Sequence, residues 1–121
     1  MRAYLPLTID EVKDFYLQKT CAPKMIYAPT IKFITANPEL DEEEAEYEIS
    51  MIAARKSGGF VIAVELADKE VSQHNEETIE ILNKIIWDNV EALFVYDSGE
   101  DELTWYATQE IGDFLQSAGS K

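Results

Sequence analysis

Phe60-Val61-Ile62-Ala63-Val64 constrains the fold more than any other segment of this chain. An unbroken apolar run rich in β-branched residues offers no polar side to water, and this one is too short for a buried helix. Such a strand is stable only in the middle of a sheet that is covered on both faces. The Gly58-Gly59 pair before it is placed to stop a preceding helix. With 121 residues, 46% of them apolar, the chain can bury a core of this kind without disulfides or metals. We therefore expect a single domain over residues 1–121.

The remaining elements follow from caps and periodicity. Arg2 to Leu5 reads as a strand ending at Pro6. Thr8 with Glu11 forms a capping box, and Leu7 is placed to staple against Val12. Ile9, Val12, Phe15 and Tyr16 then trace a helix that stops near Thr20. Met25 to Ala28 is a second strand. Thr30 to Ala36 fits a strand by propensity, or a short helix capped by Thr30. Asp41 with Glu44 is a second capping box, opening a helix that ends at Arg55-Lys56 and buries Ala45, Ile49, Ile52, Ala53 and the stem of Lys56. Asp68 to Glu77 is a polar connection. Thr78 to Leu82 alternates as a strand would, although Ile79, Leu82 and Ile86 also suit a helix. Ala92 to Tyr96 is the last strand. A helix is predicted from about Asp101 to Gln116, with Ser98 and Asp101 as capping candidates and Leu103, Ala107, Ile111, Phe114 and Leu115 facing inward. Gly112 within it costs roughly 1 kcal/mol against alanine, which the close approach of another backbone would explain. The fold class is α+β: a mixed four- to five-stranded sheet with about three helices packed largely on one face.

Charge narrows the partners. The net charge is −14, and no Lys or Arg lies between Phe33 and Ala54 or between Ile85 and Ser120. Seven carboxylates fall within Glu39 to Glu48. Such a field repels phosphate backbones and anionic lipid, so direct binding of nucleic acid or membrane is disfavoured and a basic protein partner is favoured. Cys21 is the lone cysteine and His74 the lone histidine, which excludes an intramolecular disulfide and any two-histidine metal site. There is no cofactor motif and no metal-ligand motif. The start of the chain lacks the apolar core of a signal peptide, and no apolar run is long enough to span a bilayer. A cytoplasmic setting is expected.

Several segments also resemble a known pattern. They are Met1-Arg2-Ala3-Tyr4-Leu5-Pro6, Tyr27-Ala28, Asp41-Glu42-Glu43-Glu44-Ala45-Glu46-Tyr47 with Ala53-Ala54-Arg55, Phe94-Val95-Tyr96-Asp97, and Leu103-Thr104-Trp105-Tyr106-Ala107-Thr108-Gln109-Glu110. Together they resemble an uncharacterised family of small acidic actinobacterial proteins. The chain departs from that pattern in its short connection between Asp68 and Thr78 and in Pro29 after Tyr27-Ala28. The resemblance implies a shared fold and carries no activity, substrate or catalytic residue.

Two constellations stand out as candidate sites. In the acidic helix, Glu42/Glu46 and Glu44/Glu48 are like-charge pairs one turn apart, each destabilising by roughly 0.2–0.5 kcal/mol. The helix dipole returns about 0.3–1 kcal/mol per well-placed carboxylate, so the cluster persists without a ligand. Glu43 and Tyr47 lie one turn apart, as do Tyr106 and Glu110 if the tail is helical. Those pairs would form one hydrogen-bonded network, or a general base (Glu110) beside a donor (Tyr106), were the two helices to pack together. Trp105, Tyr106 and Gln109 otherwise suit a binding surface. Asp97, at the end of a strand, is either a turn residue or a ligand-facing one. The favoured function is a protein-interaction module for a basic partner. The alternative is a divalent-metal-dependent hydrolase or lyase using Glu43, Glu46, Asp97 and Glu110. Mimicry of a nucleic-acid backbone ranks third, because the carboxylates come in blocks.

Overall fold

The computed structural model describes residues 1–119 apart from Lys24 and Gly58. Of the predicted double-glycine stop, only Gly59 is therefore described. Its φ of 104° is one that glycine alone adopts readily.

The chain begins with strand β1, Arg2–Leu7, which runs through Pro6 rather than ending there. Helix α1, Ile9–Gln18, opens on the predicted capping box, with Glu11 N–H donating to Thr8 Oγ1 at 3.2 Å and Thr8 N–H donating to Glu11 Oε1 at 2.9 Å. Two short strands follow, β2 at Thr20–Cys21 and β3 at Met25–Tyr27. The ambiguous segment after them is a helix, α2, Ile31–Ala36. Its cap decides the matter: buried Thr30 accepts from Phe33 N–H at 3.1 Å and donates to the Glu76 carbonyl at 2.6 Å. Helix α3, Glu42–Lys56, has the expected bounds, capping box and buried positions Ala45, Ile49 and Ala53, while Lys56 is exposed.

Strand β4, Phe60–Glu65, is the predicted central strand. Beyond it come β5 (Val71–His74), β6 (Thr78–Ile81), β7 (Ile85–Ile86), β8 (Val90–Asp97), β9 (Glu102–Ala107) and helix α4 (Ile111–Gly119). Among the described residues the main sheet has seven strands in the order β5-β6-β3-β1-β4-β8-β9, and β2 pairs separately with β7. Every pairing among those residues is antiparallel, which corrects the expectation of a mixed sheet of four or five strands. Strands β3 and β4 both flank β1, so α2 and α3 carry the chain across one sheet face between two strands that run the same way without touching.

Side-chain alternation along β4 sets the layers. Ile62 and Val64 point into a core shared with Val12 and Phe15 of α1 and Ile111 and Leu115 of α4. Val61 and Ala63 point the other way, against Phe33 of α2 and Ala45, Ile49 and Ala53 of α3. Helices therefore cover both faces, not largely one. An all-apolar central strand demands this, since either face left bare would expose buried-type side chains to water. Gly112 has a different reason from the one expected. A Cβ there would meet Tyr16 Oη at 2.6 Å, so a side chain of α1, not a backbone, makes the close approach.

Candidate functional site

The tail is where sequence and structure part. Trp105 and Tyr106 lie on β9, and only a 3-10 turn, Thr108–Glu110, separates that strand from α4. Leu103, Ala107 and Ile111 recur every fourth residue, a spacing that fits a strand (period two) almost as well as a helix. Thr104-Trp105-Tyr106 has the bulk and β-branching that tip the choice. Strand β9 pairs along its whole length with β8, from Asp97↔Glu102 to Ala92↔Ala107.

A strand sends successive side chains to opposite faces, so Trp105 and Tyr106 part company. The Tyr106 ring packs on Phe114 of α4 at a centroid separation of 4.8 Å, in the core that contains α1 and α4. Trp105, opposite Phe94, lies on the α3 face. Glu110 accepts from Ala107 N–H at 2.8 Å and so braces the turn into α4. Glu43 belongs to α3, across the sheet from Tyr106. The expected network of Glu43, Tyr47, Tyr106 and Glu110 is not formed, and neither is the general base beside its donor. Gln109 lies with Tyr16, Lys19, Trp87 and Asp113 around a shallow cleft on the α1/α4 side. There Lys19 Nζ sits 4.0 Å from the Tyr16 ring centroid and 5.2 Å from that of Trp87. Asp97 is a turn residue: its Oδ1 accepts from Gly99 N–H at 2.9 Å and Glu100 N–H at 3.3 Å. Among the described residues no three His, Cys, Asp or Glu side chains are grouped to hold a metal, so the four carboxylates considered for one are not assembled.

What the fold does bring together is Glu46, Tyr47 and Trp105. They line a cleft of about 260 Å³ between α3 and the β8–β9 edge, with Arg2, Tyr4, Ser50, Phe94 and Leu103. Three further clefts open along α3. The largest, about 770 Å³, lies toward α2 between Phe33, Leu40, Ile52, Glu48 and Glu76. Another of about 420 Å³ lies between Arg2, Ile34, Glu42 and Glu46, and one of about 260 Å³ between Leu40, Glu43, Glu44 and Tyr47. Sequence reading missed Arg2, Tyr4, Ser50 and Phe94 as parts of this surface. The i,i+2 spacing of Arg2 and Tyr4 on β1 was the available signal, since it puts both on one sheet face.

Electrostatics single out Glu46. Burial holds its pKa above the ordinary carboxylate value; Arg2 opposes the shift, while Glu42, Glu65 and Glu43 add to it. Burial raises the buried Tyr4 hydroxyl likewise, aided by Glu46. Arg2 is stretched thin among acids. Its Nη1 lies 4.0 Å from Glu91 Oε1, and its buried Nε has no hydrogen-bond partner. At the far end of α3, Arg55 grips Asp101 through contacts of 2.8 and 3.3 Å, and Tyr96 Oη donates to the same carboxylate at 2.6 Å. That clasp ties the helix to the β8–β9 turn, where Asp101 takes a left-handed φ of 53°. The Arg55 and Tyr96 hydrogen bonds hold the Asp101 pKa below its ordinary value.

Fold and surface together define a class: a small acidic α+β domain, antiparallel throughout, with clefts concentrated along one helix. The chain belongs to a family of unknown function (DUF6912), whose model matches residues 1–102. That match takes in the acidic helix and stops just short of Leu103 to Glu110. No curated protein and no solved structure matches the chain. Among the described residues no helix is long and apolar enough to cross a membrane.

Proposed function

We propose that this domain is a protein-interaction module of the cytoplasm that docks a basic segment of another protein along α3. One observation carries the reading. The clefts beside α3 combine carboxylate walls with apolar and aromatic side chains left open to solvent, among them Ile34, Tyr47 and Trp105. Interfaces are held by such anchors in desolvated pockets, while complementary charge brings the partner in and sets its register. Acidity alone would serve solubility; acidity around open aromatic clefts suits a partner carrying both Lys or Arg and apolar residues.

A short peptide of alternating lysine and leucine is a suitable probe, with binding measured by calorimetry at rising salt. Affinity is expected to fall at least about tenfold between roughly 50 and 300 mM salt, because exposed charges are screened within about 10 Å at 0.1 M. Neutralising Glu42, Glu43 and Glu48 together to glutamine is expected to flatten that dependence. No binding, or binding indifferent to both salt and the triple change, contradicts the reading.

A further inference from the structure

We infer that the cleft between α3 and the β8–β9 edge seats a single lysine or arginine side chain of the partner, with its stem against Trp105, Tyr47 and Phe94 and its charge beside Glu46. This rests on the docking along α3 proposed above and adds its anchor point.

The cleft has the size of one side chain. At about 260 Å³ the cleft falls below the roughly 300–1,000 Å³ of sites for drug-sized ligands, and it suits one side chain. Its lining suits a cation. Tyr47 is 53% and Trp105 57% exposed, an unusual state for two large rings that flank the same hollow over Phe94 and Tyr4. Aromatic faces attract cations, and more strongly as water is excluded. The molecule already makes this contact once, where Lys19 lies over Tyr16 and Trp87 on the opposite sheet face.

Charge selects a cation over an anion or a neutral ring. Glu46 is half-buried with Glu42, Glu43 and Glu65 bearing on it; Arg2 offsets them, and the Met1 ammonium pairs with Glu65 at 2.8 Å. Arg2 is itself drawn toward Glu91. Glu42, Glu43, Glu46, Glu65 and Glu91 outnumber Arg2 and the Met1 ammonium, so the surroundings remain negative, and an arriving ammonium or guanidinium supplies counter-charge. An anion would meet that same excess of carboxylate charge.

The test uses one peptide in two versions, glycine- and serine-flanked, with lysine or its uncharged isostere norleucine at the centre, titrated into the whole domain. The lysine peptide is expected to bind at least about tenfold more tightly than the norleucine peptide. Trp105→Ala and Glu46→Gln are each expected to erase most of that difference, while Glu48→Gln, outside this cleft, changes it less than about threefold. Glu46→Gln also separates binding from folding. A carboxylate whose folded pKa is raised contributes stability that is present below the unfolded value and lost as pH rises through the folded one. The glutamine variant is thus expected to resist urea better than the parent at neutral pH and to lose that advantage under acid conditions. Should Trp105→Ala and Glu46→Gln bind the lysine peptide like the parent, the anchor is refuted, and the alternating lysine-leucine peptide still reports on docking along α3. Should neither peptide type bind the parent at all, the anchor and the docking fall together.

Discussion

Phe15→Ala is expected to lose about 3–5 kcal/mol of stability, measured as a fall in the urea midpoint of roughly 1–3 M. Phe15 is 2% exposed and meets Trp87 edge-on, with ring centroids 5.0 Å apart and planes at 79°. Trp87 in turn lies edge-on to Tyr16 at 5.2 Å, and Tyr16 closes over Gly112 of α4. Removing one ring therefore opens a cavity that its neighbours cannot fill without abandoning each other. A domain of this kind has roughly 5–15 kcal/mol in total, so the variant sits near the threshold of folding. The near-ultraviolet circular dichroism of Trp87 should weaken in the same variant. A loss below about 1 kcal/mol would mean that α1 and the Trp87 turn are packed differently.

Ile49→Ala comes next, with an expected loss of about 2–5 kcal/mol. Ile49 is fully buried on the other side of the sheet, among Tyr4, Phe33, Ala45, Ala53, Val61 and Ala63. It holds α3 down, and α3 forms the walls of the clefts, so this variant should also bind the lysine-leucine peptide less well. The two cores are separated by the sheet, and sites that share no partner add to within about 0.5 kcal/mol. Milder changes, Phe15→Leu with Ile49→Val, keep the chain folded for that measurement. Strong coupling between them would contradict a molecule built as two cores on one sheet.

How far the sequence disclosed this arrangement depended on whether the signal was local. The capping boxes at Thr8 and Asp41, the α3 boundaries and the central strand at residues 60–64 are local matters of side-chain chemistry, and all are found where expected. The edge strand β5 carries Ser72 and Gln73, both exposed, and has neither apolar alternation nor a buried face to betray it. For β9 the four-residue spacing of its apolar positions was compatible with both periods, and pairing with β8 decided between them. That decision reorganised the candidate site. Turning a helix into a strand sent Tyr106 to one face and Trp105 to the other, and so exchanged a supposed Tyr106/Glu110 pair for the cleft shared by Trp105, Tyr47 and Glu46. Asp97 and Glu110 proved to be occupied in turns, a role that their positions beside Gly99 and before α4 already suited. Helix placement on both faces was implicit in the apolar run of β4, yet the order of elements alone does not say which helix goes to which side.

Mapping backbone amide shifts on the isotope-labelled domain, as the lysine-leucine peptide is added, decides whether a basic segment docks along α3. Docking along α3 predicts that the largest shifts fall on residues 42–52 and 103–105, together with the Trp105 indole N–H. Residues of α1, α4 and the Tyr16/Trp87 cleft should stay nearly still. Shifts concentrated on that second group, or none anywhere at saturating peptide, would overturn docking along α3.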